Sequence, residues 1–161
     1  MEFEKVLRNR EKWSTGEACS VAKTLDLLST KTVFLVIREC FYGTTRFEDF
    51  IERIGTSAPA VSRALKQLES AGIVTRVPYQ EPGKRARDAY HLTQAGEDLL
   101  PVLMALTQWG DKYLQEESGP LQFVDAKSGR PLHVQVTDDP DVTSARSADI
   151  EIQLSPRLRK R

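Results

Sequence analysis

Apolar residues recur at helical spacing through most of the first 115 positions, and the spacing shifts to alternation in a few short windows. Phe3, Val6, Leu7 and Arg10 fall at helical intervals, which predicts a short amphipathic helix with Trp13 as its packing anchor. Val21, Leu25 and Leu28 follow at i, i+4 and i+7, on a helix that Ser20 can N-cap. Positions 33–37 are all apolar, and periodicity alone allows strand or helix there. The length of 31–43, with Ser29 or Thr30 before it and Gly43 after it, predicts a buried helix. Thr45 and Glu48 then read as a capping box ahead of a stripe of Phe47, Phe50, Ile51 and Ile54, with Gly55 as the stop. Ser57 is the next N-cap. Its helix, 57–71, buries Val61, Ala64, Leu65 and Leu68, and Gly72 ends it. At about 100° per residue, Ser62, Arg63, Lys66 and Gln67 gather with Pro59 on the other side. Two short capped helices joined by a tight turn are the sequence form of a helix-turn-helix.

Residues 73–79 alternate apolar and polar, as a half-buried strand does, and 88–92 return as a second strand. Between them lie Pro82, Gly83 and the cations Lys84, Arg85 and Arg87. A basic-tipped hairpin directly after a helix-turn-helix predicts a winged helix with 80–87 as the wing. Thr93 can cap a long final helix whose stripe is Leu99, Leu103, Leu106 and Tyr113, widened by Val102 and Trp109. Pro101 either kinks that helix or marks its true start. So apolar a helix exceeds what one small core covers, which predicts a dimer seam. Beyond Gly119-Pro120, strand-like stretches flank a Ser128-Gly129 turn and alternation returns near 148–154, so a small β extension is expected over 119–155, with a basic tail after it. The expected organisation is α+β, mainly α: a winged helix with N- and C-terminal dimerisation helices over 1–118, and the extension with its tail over 119–161.

Composition narrows the chemistry. Of 161 residues, 40% are hydrophobic and 29% charged, and 23 Lys plus Arg balance 23 Asp plus Glu. Zero net charge argues against a polybasic nucleic-acid sponge but permits a local basic face. Two cysteines are too few for a disulfide scaffold, and with only His91 and His133 a zinc site would need unusual carboxylate help. A charged N-terminus without an apolar core gives no signal peptide, and no run approaches the about 20 apolar residues that span a bilayer. A soluble, cytoplasmic protein without a cofactor is expected. Asp138 and Asp139 precede Pro140 and read as a turn, and no nucleophile or phosphate-loop motif points to an enzyme.

From Cys19 to Leu114 the chain resembles the HxlR-type transcriptional regulators, bacterial winged-helix proteins related to the MarR group. The resemblance rests on C-S-V-x-x-T-L-D-L-L, F-L-V-I-R-E with F-Y-G and R-F-E-D-F, then P-A-V-S-R-A-L-K-Q-L-E-x-A-G-I-V, Y-x-L-T-x-A-G and L-x-P-V-L-x-x-L-x-x-W-G-D, in that order. Two departures stand out. Lys31-Thr32-Val33 occupies the place of the family's Lys-Trp-Thr, which removes a large packing group. Gly43-Thr44-Thr45-Arg46-Phe47 stands for Gly-Pro-Arg-Arg-Phe, with one cation fewer beside the DNA backbone. The resemblance implies a homodimeric regulator of double-stranded DNA. It also implies a sensor role for Cys19, as several members carry a redox- or electrophile-sensing cysteine there.

The residue chemistry is compatible with that. Arg63 can make a bidentate contact to guanine, Gln67 suits adenine, and Ser62 and Ser57 can reach phosphate or base. Arg46 could clamp a phosphate, or pair with Glu48 or Asp49 instead. Lys84, Arg85 and Arg87 suit the minor groove or flanking phosphates; the bland alternative for them, and for Arg63, Lys66 and Gln67, is a solvated surface. About six such contacts per dimer would give a salt slope on the order of −5. Cys19 precedes a helix N-terminus that favours a thiolate, with Lys23 one turn on; an inert residue near the seam is the alternative. Cys40 reads as core. The competing function is a protein-interaction winged helix that no longer binds DNA. The effector, the operator and the direction of regulation are not written in the residues.

Overall fold

The computed structural model describes residues 1–116, 119–156 and 158. Residues 117–118, the end of the expected first unit, and the tail residues 157 and 159–161 lie outside the described residues. The N-terminal helix does not form. In its place are three single 3-10 turns, Lys5–Leu7, Arg10–Lys12 and Gly16–Ala18. Polar side chains compete for the backbone there: Glu11 N donates to Asn9 Oδ1 at 3.1 Å and Gly16 N to Ser14 Oγ at 3.1 Å. Trp13 is nevertheless the local anchor. Its Nε1 donates to the Leu7 carbonyl at 2.8 Å, its ring meets Phe3 edge-on at 5.5 Å, and the Arg10 guanidinium lies 4.2 Å over it.

Helix α1 (Ser20–Leu27) starts one residue earlier than a Ser20 cap requires, and Cys19 is its N-cap. Helix α2 (Lys31–Phe41) is the buried helix, capped by Thr30 Oγ1, which accepts from Val33 N at 3.2 Å. The helix α3 (Phe47–Ile54) ends at Gly55 in the left-handed conformation and leads into α4 (Ala58–Ser70). One core joins them: Val33, Val36 and Ile37 of α2, Phe50 of α3, and Val61, Ala64, Leu65 and Leu68 of α4, with Ile73 and Val74 closing it. Each large side chain so buried contributes about 1.5–3 kcal/mol. The acid inside this region, Glu39, is held by Arg38 at 2.6 Å and by the Thr44 hydroxyl at 3.1 Å.

The capping box is absent. Arg46, not Thr45, is the N-cap residue of α3, and no side chain caps it. The segment is recruited elsewhere: Tyr90 N donates to the Thr45 carbonyl at 2.8 Å and Arg46 bridges to Ala89. Extended backbone at 45–46 thus adds an edge to the hairpin of β1 (Val74–Tyr79) and β2 (Arg87–Leu92), which pair antiparallel from Val74↔Leu92 to Tyr79↔Arg87. The half-buried alternation expected of β1 fails: Val74 is buried, but Thr75 to Pro78 are all exposed, and beyond Val74 the hairpin meets the core through Tyr90 and Leu92 of β2.

Thr93 caps as expected, its Oγ1 accepting from Gly96 N at 3.3 Å while donating to the Gly72 carbonyl. A side chain at Gly96 would collide with the Ile73 carbonyl, so the close crossing of hairpin and helix needs glycine. The helix is split into α5 (Gln94–Glu97) and α6 (Leu100–Tyr113); Pro101 sits in the first turn of α6 and marks its start. The C-terminal extension is a hairpin of β3 (Leu121–Asp125) and β4 (Ile150–Leu154). Its Ser128-Gly129 turn forms, with Asp125 Oδ1 accepting from Ser128 N and Oγ at 2.7 Å each. The strand expected after that turn reduces to one bridge, Val124↔Pro131, since proline has no N–H for the ladder. Among the described residues no helix is long and apolar enough to cross a membrane.

Candidate nucleic-acid interface

Burial of Val61, Ala64, Leu65 and Leu68 fixes the roll of α4 and turns Pro59, Arg63 and Lys66 fully outward. Ser57 is the exposed N-cap residue, without a capping bond from its side chain, and Ser62 is half-buried at the edge of the face. Gln67 departs from expectation. Its Nε2 donates to the Leu27 carbonyl at 2.7 Å, tying α4 to the end of α1, so its donor is engaged inside the chain. On a helical wheel Gln67 lies toward the α1 side, and only the tertiary contact reveals which neighbour claims it.

The expected cations of the wing are present at the surface, but several are paired. Arg46 reaches neither Glu48 nor Asp49; its guanidinium meets Glu81 at 2.8 Å and lies 5.0 Å over the Tyr79 ring. Lys84 pairs with the same Glu81 at 2.6 Å. Arg87 lies in β2 rather than in the loop and meets Glu48 at 3.1 Å. Arg85 is exposed, with no ion pair among the described residues. Glu81 is therefore a residue that the sequence reading passed over, although its i, i+3 spacing to Lys84 was visible. The Lys84 ammonium hydrogen-bonded to it, then the charges of Lys84 and Arg46, hold its carboxyl below the usual range. Arg76, also unremarked, is exposed beside α4 and tied to Glu69 at 2.6 Å. Its guanidinium is held still more firmly charged by that carboxylate.

Exposed pairs of this kind are worth at most about 1 kcal/mol each, so a phosphate can displace them. What the arrangement offers is a helix with an exposed polar side, flanked by a hairpin on which Lys84 and Arg87 are held by acids and Arg85 has no ion pair among the described residues.

Cys19 is half-buried at the start of α1. The Ala22 amide, then the Thr15 side chain and the Val21 amide, hold its thiol below the ordinary value against a smaller effect of burial. Burial, with the adjacent Glu39, pushes Cys40 up to about 12. The expected dimer stripe divides in two. Leu99 packs on the core and Leu103 is buried, both committed to their own chain. Leu106, Trp109 and Tyr113 are 53%, 55% and 59% exposed.

Comparison with known proteins agrees with this geometry. Residues 27–118 match the HxlR-like helix-turn-helix family. An uncharacterized HTH-type transcriptional regulator of Mycobacterium tuberculosis is 38% identical over 104 residues, which are 65% of this chain and 65% of that protein's length. The crystal structure of PA1607, a proposed transcription factor, superimposes with a TM-score of 0.67 at 31% identity, over 76% of this chain and 85% of that one. The redox regulator HypR in its reduced form is similar too, with a TM-score of 0.54 and 26% identity over 60% of this chain and 95% of that one. On the match over 27–118, the chain belongs to the HxlR-like helix-turn-helix family, and the curated relatives it resembles are named HTH-type transcriptional regulators.

Proposed function

We propose that the protein is a homodimeric, sequence-specific binder of double-stranded DNA, with α4 in the major groove and the wing on the minor groove or backbone. The observation that carries this reading is the uncovered side of α4, with Pro59, Arg63 and Lys66 turned to solvent beside a cation-bearing hairpin. Arg63 reads a base edge, guanine first. Lys66, Ser57 and Ser62 reach phosphate or base. Arg46, Lys84, Arg85 and Arg87 meet backbone phosphates, the paired ones exchanging a carboxylate for a phosphate. Gln67 serves to seat α4 on α1. Within this reading, 1–118 is the DNA-binding and dimerisation unit and 119–161 an appended extension.

Selection of bound sequences from random duplex DNA tests binding, symmetry and half-site spacing together. A two-fold symmetric site with half-sites about 34 Å apart is the expected result. Arg63→Ala should cost about 1–3 kcal/mol and relax preference at one base pair, while Lys84→Ala should weaken all sequences alike and flatten the salt slope by about one. Failure to enrich any sequence, with no affinity for duplex DNA at low salt, would leave the protein-interaction reading instead.

Cys19 is the residue we assign as the switch. Its thiolate is stabilised at the start of α1, whereas Cys40 is held protonated in the core. The likeness to a redox regulator supports the assignment, and selective alkylation tests it.

A further inference from the structure

At the wing, two cations from different elements meet one carboxylate. Glu81 and Lys84 flank Pro82 and Gly83, and Lys84 N donates to the Glu81 carbonyl at 3.0 Å, which closes a tight turn. That turn carries the Lys84 ammonium to one Glu81 oxygen, Oε2, at 2.6 Å. The other oxygen, Oε1, receives the Arg46 guanidinium at 2.8 Å. Arg46 arrives from the start of α3, where its backbone bridges to Ala89 of β2. Its guanidinium lies 5.0 Å over the ring of Tyr79, the half-buried last residue of β1. Backbone, ring and carboxylate thus hold this one arginine. The side chains of Arg46, Glu81 and Lys84 are 49%, 31% and 65% exposed, so an anion from outside can reach the same cations. Ion pairs so exposed are weak enough to exchange.

We infer that Arg46 and Lys84 form one two-pronged clamp for a single backbone phosphate of DNA, that the Glu81 carboxylate holds that phosphate's place, and that Tyr79 is the positioning residue for Arg46. The inference rests on the DNA-binding reading. A carboxylate and a phosphodiester each present two oxygens on one atom, so cations spaced for the first suit the second. DNA also offers what Glu81 does not, the release of condensed counterions as each cation takes up a phosphate. Tyr79 remains beneath Arg46 when Glu81 is displaced, so the guanidinium need not be ordered afresh on binding. A guanidinium suits this task, since it can lie on a ring and still fork toward an anion, which a lysine cannot reproduce. Because Arg46 also opens α3, the clamp would tie the wing and the helix-turn-helix to the same point on the duplex.

The test uses the full-length protein and the tightest duplex selected from random DNA, prepared with each phosphate in turn replaced by a neutral methylphosphonate. Fluorescence anisotropy should find one phosphate per half-site whose neutralisation weakens the parent at least about fivefold. Arg46→Ala and Lys84→Ala should each shrink the loss at that same phosphate, whereas Arg85→Ala should keep it. Tyr79→Ala should bind about two- to fivefold more weakly, and Tyr79→Phe, which keeps the ring face, should restore most of that loss. The effect of Tyr79→Ala should vanish when Arg46 is already alanine, whereas a merely structural role for Tyr79 would persist there. Circular dichroism of the variants should match the parent. If Arg46→Ala and Lys84→Ala act at different phosphates, or at none, the clamp is overturned while DNA binding stands. A Tyr79→Ala loss undiminished beside Arg46→Ala removes Tyr79 as the positioning residue. No affinity for any duplex at low salt would overturn the DNA-binding reading and the clamp with it.

Discussion

Cys19 and Cys40 have the same side chain and opposite chemistry, because their surroundings act on the charged form in opposite senses. Amides at the start of α1 donate toward Cys19 and favour its thiolate, so the pH at which the thiolate appears moves down. Burial of Cys40 in α2 disfavours the charge, and at about 12 the thiol stays protonated through the neutral and mildly alkaline range. A pulse of iodoacetamide at neutral pH should therefore label Cys19 well before Cys40, with the Cys19 rate saturating at lower pH than that of free cysteine. Mass spectrometry reads both sites in one digest. Equal labelling, or diamide treatment that leaves DNA affinity unchanged, would remove Cys19 as a switch. At this scale the direction is already legible in the sequence, since Cys19 precedes a helix N-terminus; what the sequence leaves out is the Thr15 side chain, brought to the thiol by the turn at Gly16–Ala18.

The wing is an element whose charge cannot be read one residue at a time. Glu81 gathers Arg46 from the entrance of α3 and Lys84 from the hairpin, and Glu48 takes Arg87. These acids hold the cations in place and also compete with phosphate for them. Replacing Glu81 by Gln should free two cations, tighten duplex binding several-fold and steepen the salt slope by about one to two. Fluorescence anisotropy over a salt series measures this. Weaker binding instead would mean that Glu81 serves chiefly to position the wing. The same recruitment explains the lost capping box: Thr45 and Arg46 pair with β2, and an extended backbone there leaves Thr45 outside the helix start.

At the scale of the molecule, two helices among the described residues each carry several exposed apolar side chains. Leu106, Trp109 and Tyr113 of α6, with Val102, face solvent, as do Val21 and Leu25 of α1. Contiguous exposed apolar surface of this kind marks an association site. A second copy of the chain is the proposed occupant, because two α4 helices must meet two half-sites. Leu106→Glu with Trp109→Glu should convert the protein from dimer to monomer by light scattering while circular dichroism stays unchanged, and DNA affinity should fall with it. A parent protein that is monomeric at micromolar concentration would sink the dimer reading.

The local pattern was enough for α2, α3, α4 and the hairpin, because burial on one face and glycine stops act within a few residues of chain; at Pro101 it left a kink and a helix start both open, and the structure has the start. It was also enough to find the outward side of α4, since the buried stripe dictates its roll. Tertiary structure alone decided what lies far apart in sequence. It turned Gln67 to Leu27, Leu103 into the core and Arg46 to Glu81. Periodicity specifies which face of an element is apolar; only packing specifies which neighbour that face, or a charge beside it, will meet.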